Sequence, residues 1–300
     1  IFLVSNIGGS LTPLGDPPLF VGFLRGVDFF WTTANLWRET LLVGGIVLAV
    51  FVALDWTLHI REKGLPKIKD PTPDSKVRIR GRANFILLAG VIGAILLSAS
   101  WKPGIAFTIQ GVELELQNLV RDAIILALAF VSLKVTRKEY RTANGFNWGP
   151  ILEVAKLFAG IFVCIVPVIA ILRAGLDGAF SPLVSMVTTA SGAPNDLAYF
   201  WLTGILSSFL DNAPTYLVFF ELAGGDAKEL MTTLSSTLVA ISAGAVFMGA
   251  NTYIGNAPNF MVYAIARERG VKMPGFFGYM LWSGAVLIPT FLIAGFVFFG

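Results

Sequence analysis

The chain has 300 residues, of which 55% are hydrophobic, 13% aromatic and only 14% charged, whereas soluble domains carry about 25% charged residues. Such a composition excludes a disordered or collagen-like chain, and a lone cysteine, Cys164 in an apolar run, excludes a disulfide scaffold. The net charge of +3 acquires meaning only when its basic residues are placed relative to membrane spans.

The chain opens at Ile1 without Met or a signal-peptide pattern and is expected to be a fragment of a longer protein. Its first feature is a Gly/Pro-rich stretch from Ser5 to Pro18. Uncharged runs then predict spans at 40–54, 83–101, 123–133 (extendable to about 118), 157–172, 230–266 and 273–300. Between the first two lies the segment 57–82, a linker with Pro66, Pro71 and Pro73 and eight basic residues from Arg61 to Arg82. The region 178–224 is apolar but interrupted by Ser181-Pro182, Gly192-Ala193-Pro194 and Asp211-Asn212-Ala213-Pro214. Its arms around Asp211 are too short to span, which predicts a re-entrant hairpin over about 197–224. As one helix, the run 230–266 would be about 55 Å long against a hydrocarbon core of about 30 Å. A break is therefore expected in Gly249-Ala250-Asn251-Thr252-Tyr253-Ile254-Gly255-Asn256-Ala257-Pro258.

Charge placement fixes a topology. With the hairpin entering and leaving on the outer side, the basic linker, the Lys134–Arg141 segment and the Arg267–Lys272 segment all fall inside. They hold 15 of the 22 Lys and Arg residues, as the positive-inside rule requires. The linker is thus a topology signal, and no nucleic-acid partner is expected.

Thr12-Pro13-Leu14-Gly15-Asp16-Pro17-Pro18-Leu19-Phe20 matches Thr252-Tyr253-Ile254-Gly255-Asn256-Ala257-Pro258-Asn259-Phe260 at Thr, Gly, the second Pro and Phe, with Asp set against Asn. Arg-Gly-Val follows both, at Arg25 and Arg269. In the charge-based topology the copies run in opposite directions, which predicts an inverted repeat. Gly/Pro-interrupted apolar segments in two halves point to a midplane transport site. The expected fold is an all-α polytopic membrane protein, an inverted-repeat secondary transporter with a re-entrant hairpin and broken transmembrane helices. In it, 1–56 ends the first repeat, 57–82 is the cytoplasmic linker, and 83–300 is the second repeat with a final span at about 276–299.

An unwound turn in hydrocarbon persists only where protein, water or an ion satisfies its backbone groups. Asn251, Thr252, Gly255 and Asn256 offer oxygens to a hard cation, while half-helix N-termini after Pro17 and Pro258 suit an anion. Asp211, at the predicted hairpin tip with no Lys or Arg within four positions, tends to hold a proton or a cation. Competition between the two at one carboxylate suffices for cation/proton exchange. Its structural alternative is to cap the second hairpin arm. Asp16 has the same double reading, Gly-Asp-Pro being also an ordinary turn. Glu153 and Lys156, three apart near a span end, are expected to neutralise each other.

The Asn6-Ile7-Gly8-Gly9 and Thr12-Pro13-x-Gly15-Asp16 string and the Leu210-Asp211-Asn212-x-Pro214 tip resemble the ion transporter superfamily, nearest its NhaD-like sodium/proton antiporter and citrate-transporter-like branch. The resemblance covers essentially the whole chain. It implies that hairpin tips and helix breaks from both halves enclose the ion and substrate sites, in a homodimer with elevator-type movement. Carried over, it points to Asn6, Thr12, Gly15 and Asp16 in one half and to Ser208, Asp211, Asn212, Thr215, Asn251, Thr252 and Asn256 in the other. The hairpin reads Ser-Ser-Phe-Leu-Asp-Asn where divalent-anion symporters carry Ser-Asn-Thr, and the Asp there argues against a bare anionic substrate.

The leading expectation is therefore sodium/proton antiport across the cytoplasmic membrane, with Asp211, Asn251 and Thr252 as sodium ligands. Cation-coupled transport of citrate or another carboxylate is the alternative. An intramembrane aspartyl protease using Asp16 and Asp211 is remote, because Pro13 stands where Gly is usual. No enzyme activity and no cofactor beyond sodium and protons as coupling ions is expected, and no nucleotide motif occurs. The expected partners are the lipid bilayer, small inorganic cations or carboxylates, and a second copy of the chain.

Overall fold

The computed structural model describes residues 1–61, 79, 81–109, 112–268 and 270–300. Most of the basic linker and Arg269 of the second repeat lie outside the described residues. Two compact units divide the chain, residues 1–65 with 158–300 and residues 66–157. This division is by packing and cuts the chain differently from the halves expected of a repeat.

The first unit opens with a 3-10 turn at Ile7–Gly9, then α1 (Pro17–Leu24), α2 (Trp31–Asn35) and α3 (Trp37–Arg61). Pro17 and Pro18 occupy the first positions of α1, where a missing N–H costs nothing and a fixed φ suits the helix. The second unit holds α4 (Ala83–Ser100), strands β1 (Ala106–Ile109) and β2 (Val112–Glu115), α5 (Leu116–Val135) and α6 (Lys138–Ala143). The boundary falls inside α7 (Gly149–Arg173), after which the first unit resumes. It continues with α8 (Ser181–Val187), α9 (Asp196–Phe209), α10 (Asn212–Leu222), α11 (Ala227–Met231) and α12 (Ser235–Met248). A 3-10 turn at Gly249–Asn251, then α13 (Ala257–Glu268) and α14 (Phe276–Phe298) complete it.

Among the described residues, α3, α4, α5 and α14 are long and apolar enough to cross a bilayer. Their outward faces carry Leu48 and Phe51, Phe85 and Ile86, Leu126 and Phe130, and Leu281 and Phe296, a distribution that suits hydrocarbon rather than water. The predicted span at 123–133 is the middle of α5, which is longer at both ends. The run 230–266 breaks where its helix-weakening residues predicted, between the end of α12 at Met248 and the start of α13 at Ala257. Residues 197–224 form two helices, α9 and α10, parted at Leu210 and Asp211. At 14 and 11 residues these arms reach about 21 and 17 Å, short of a bilayer core of about 30 Å.

The chain is mostly, not wholly, helical. β1 and β2 pair antiparallel, Phe107 facing Leu114 and Ile109 facing Val112. Alternation of apolar residues with Thr108, Glu113 and Glu115 was the signal, since a period of two places one set on each face.

Packing in the first unit centres on α12. Every residue from Thr237 to Met248 is buried, so the helix is apolar nearly all round, as expected of one enclosed by others. Its closest neighbour is α9, and small residues set the approach. A Cβ on Gly244 would lie 2.5 Å from the Phe200 carbonyl oxygen, and one on Gly204 would overlap the Met248 side chain.

Candidate functional site

The two Gly/Pro breaks fold alike. In each, a 3-10 turn precedes a link of turns and bends and then a short helix, Ile7–Gly9 before α1 and Gly249–Asn251 before α13. In each, two glycines six apart let the backbone double back on itself. A Cβ on Gly15 would collide with the Gly9 carbonyl oxygen, and one on Gly255 with that of Gly249. Only a residue without Cβ permits that approach.

Asp16 and Asn256, matched across the repeat, then do different things. Asn256 caps α13, its Oδ1 accepting from the Asn259 N–H at 2.9 Å. Asp16 stands at the N-cap of α1 with extended backbone but makes no side-chain cap bond. Its carboxylate turns instead to α10, where Asn212 Nδ2 donates to Asp16 Oδ1 at 3.0 Å across 196 residues of sequence. The remaining oxygen, Oδ2, is buried with no hydrogen-bond partner. Asp16 is 3% exposed and Asn212 fully buried.

Further unpartnered acceptors lie on Asn212 itself and in the second helix break. Asn212 Oδ1 and Asn251 Oδ1 are also buried without a partner. Asn6 Oδ1, Ser207 Oγ and Asn212 Nδ2 converge on Gly249, within 3.2, 3.4 and 3.8 Å of where its Cβ would stand. Ser208, on α9, donates to the Met248 carbonyl at 3.0 Å and accepts from Asn251 Nδ2 at 2.9 Å. Thr252 Oγ1 donates to the Ser208 carbonyl at 2.5 Å. Helix break and hairpin are thus sewn together through Ser208. A buried acceptor without a donor is costly unless something electropositive faces it. The orphaned atoms here, one carboxylate and two amide oxygens, are of the type that coordinates a hard cation.

The other predicted residues are placed differently. Asp211 is half-buried and caps α10, its Oδ1 accepting from the Ala213 N–H at 3.1 Å; among the described residues no hydrogen bond joins it to Asn251 or Thr252. Thr215 donates to the Asp211 carbonyl within α10 at 2.9 Å. Thr12 accepts from the Gly15 N–H at 2.9 Å through its carbonyl, closing the turn. Asn6 is wholly buried in an amide chain, donating to Asn259 Oδ1 at 2.7 Å and accepting from Asn256 Nδ2 at 2.8 Å. Glu153's side chain lies outside what the structure describes, and Lys156 is exposed.

Asn259 and Ser207 belong to the site although sequence reasoning passed over them. Asn259 Nδ2 also donates to the carbonyls of Gly249 and Thr252, at 2.8 and 3.1 Å. Its signal was its place three residues after a capping Asn. A crevice of about 560 Å³, lined by Phe2, Val47, Phe51, Val262, Trp282 and Val286 among others, is almost wholly apolar and offers an ion nothing.

Residues 1–299 match the family described as "Putative citrate transport". Two curated relatives, an uncharacterized transporter of Mycobacterium bovis and one of Mycobacterium tuberculosis, are each 23% identical to the chain over 276 residues. The alignment takes in 90% of this chain and 59% of either relative, so the chain spans well under two thirds of their length. No solved structure matches it.

Proposed function

The chain belongs to this citrate-transport family, and on that premise we propose that the protein is a secondary active transporter of the cytoplasmic membrane whose coupling cation binds at Asp16 and Asn212. One observation carries the reading: a buried carboxylate at a helix N-cap that does not cap, with one oxygen held by an amide and the other unpartnered. A carboxylate in such a place is neutralised by a proton or by a metal cation. The two compete, and their exclusion of one another couples a sodium gradient to a proton gradient. Sodium/proton exchange is therefore the leading form, in a homodimer with two inverted halves and a re-entrant hairpin at α9–α10. Support for these halves comes from the like folding of the two breaks.

A second form, cation-coupled citrate or carboxylate transport, is favoured by the family's description. In that form the bound cation screens Asp16 and Asp211 from the substrate's carboxylates.

The test uses the full-length gene in antiporter-deficient cells, with inverted vesicles and a pH-sensitive dye. Sodium or lithium is expected to dissipate the proton gradient, and Asp16→Asn, isosteric and still able to meet Asn212, to abolish the response. Silence toward both cations with a response to citrate would select the carboxylate form. An Asp16→Asn protein as active as the wild type would remove the cation site from Asp16.

A further inference from the structure

The helices α1 and α10 come from opposite ends of the sequence yet run side by side in the same direction, tied at both ends. At their N-termini Asn212 Nδ2 meets Asp16 Oδ1 at 3.0 Å. At their C-termini Arg25 Nη1 meets Glu221 Oε1 at 2.9 Å, with the Glu221 side chain 3% exposed. Between the ties, Val21 packs on Ala213 and Leu217 in a small core of their own. Beside them Gly22 lies so close to Tyr216 that a Cβ there would be 2.5 Å from its hydroxyl. The contact is continuous from the site to the ion pair, roughly 13 Å at 1.5 Å per residue.

We infer that Arg25 and Glu221 are a positioning pair for the cation site, a clamp that holds α1 and α10 as one unit and so sets the spacing of Asp16 and Asn212. The inference rests on the proposed cation site. Apolar contacts such as those of Val21 with Ala213 and Leu217 are non-directional, so they fix the register of two short helices less sharply than a charged contact does. An ion pair between the buried Glu221 carboxylate and the Arg25 guanidinium, whose side chain is 39% exposed, adds a directional contact that supplies that register. Motion at the ion pair is carried to the N-termini because a helix of eight residues behaves as a rigid rod. The two acceptors at the cation site must stand within one coordination shell, where a displacement of a fraction of an ångström changes affinity. Arg25 and Glu221 touch neither the ion nor its ligands; they act through helix register.

The test reads sodium-dependent exchange in vesicles for the wild type, Arg25→Gln, Glu221→Gln and the reversed pair Arg25→Glu with Glu221→Arg, with thermal unfolding midpoints alongside. Each single variant is expected to raise the half-saturating sodium concentration about fivefold or more while the maximal rate stays within about twofold. The reversed pair is expected to restore it. Unchanged half-saturation in the single variants overturns the clamp, and so does a loss of rate that follows the unfolding midpoint and is not restored by reversal. A wild type silent to sodium, lithium and citrate would instead fail the transport reading. The clamp is then judged by disulfide formation between Val21→Cys and Leu217→Cys in a Cys164→Ser background. Slower cross-linking on adding Glu221→Gln supports it, and an unchanged rate overturns it.

Discussion

The two aspartates of the site look interchangeable as residue types, but their hydrogen bonds separate them. Asp211 spends one carboxylate oxygen on the first turn of α10, so Asp211→Ala should cost about 1 kcal/mol of stability, the usual worth of a cap. The Asp16 side chain gives nothing to α1. Transport should therefore fall further in Asp16→Asn than in Asp211→Asn when both are measured in the same vesicles. Equal losses would make the two a joint site. Gly249 is the other decisive position, because three polar side chains crowd the place of its missing Cβ. Gly249→Ala pushes Asn6 Oδ1 outward by a few tenths of an ångström and brings Ser207 and Asn212 into contact with the new methyl. Half-saturating sodium should rise, with a stability loss of about 1–3 kcal/mol from overpacking.

Among elements, the α9–α12 seam determines where the junction of α9 and α10 can sit. Gly244 faces backbone, the Phe200 carbonyl, which cannot rotate aside. Gly244→Ala is expected to cost about 1–3 kcal/mol, read as a lower unfolding midpoint in detergent. Gly284→Ala, on α14 with nothing within 4 Å, should be neutral or gain up to about 1 kcal/mol from helix propensity. Equal shifts in the two would show that propensity, not packing, governs the seam. Breaks and spans were legible in the sequence because Gly, Pro and Asn interrupt otherwise uncharged runs, and the interruption acts locally. The bond from Asn212 to Asp16 was not legible, since no periodicity encodes a contact across 196 residues. Nor was the idle cap at Asp16, which looks identical in sequence to a working one. The β1–β2 pair was passed over because its glutamates break the apolar pattern used to find spans.

For the whole molecule, charge alone predicts that the segments before α9 and after α10 share the outer side. In that proposed topology α1 and α10 would both lead outward from the midplane, in keeping with their parallel run. Arg25 and Glu221 then lie toward the outer surface and Asp16 with Asn212 toward the middle. Single cysteines in a Cys164→Ser background distinguish this from an ordinary span. Ser191→Cys, ahead of α9, and Lys228→Cys, beyond α10, occupy exposed positions. Both should react in intact cells with a membrane-impermeant thiol reagent, while Ser75→Cys in the basic linker should react only after the membrane is opened. If α9 and α10 together crossed the bilayer once, Ser191→Cys and Lys228→Cys would label from opposite sides. The proposed inverted arrangement of the two breaks would then fail, because α12 and α13 would run in the same direction as the first copy rather than against it.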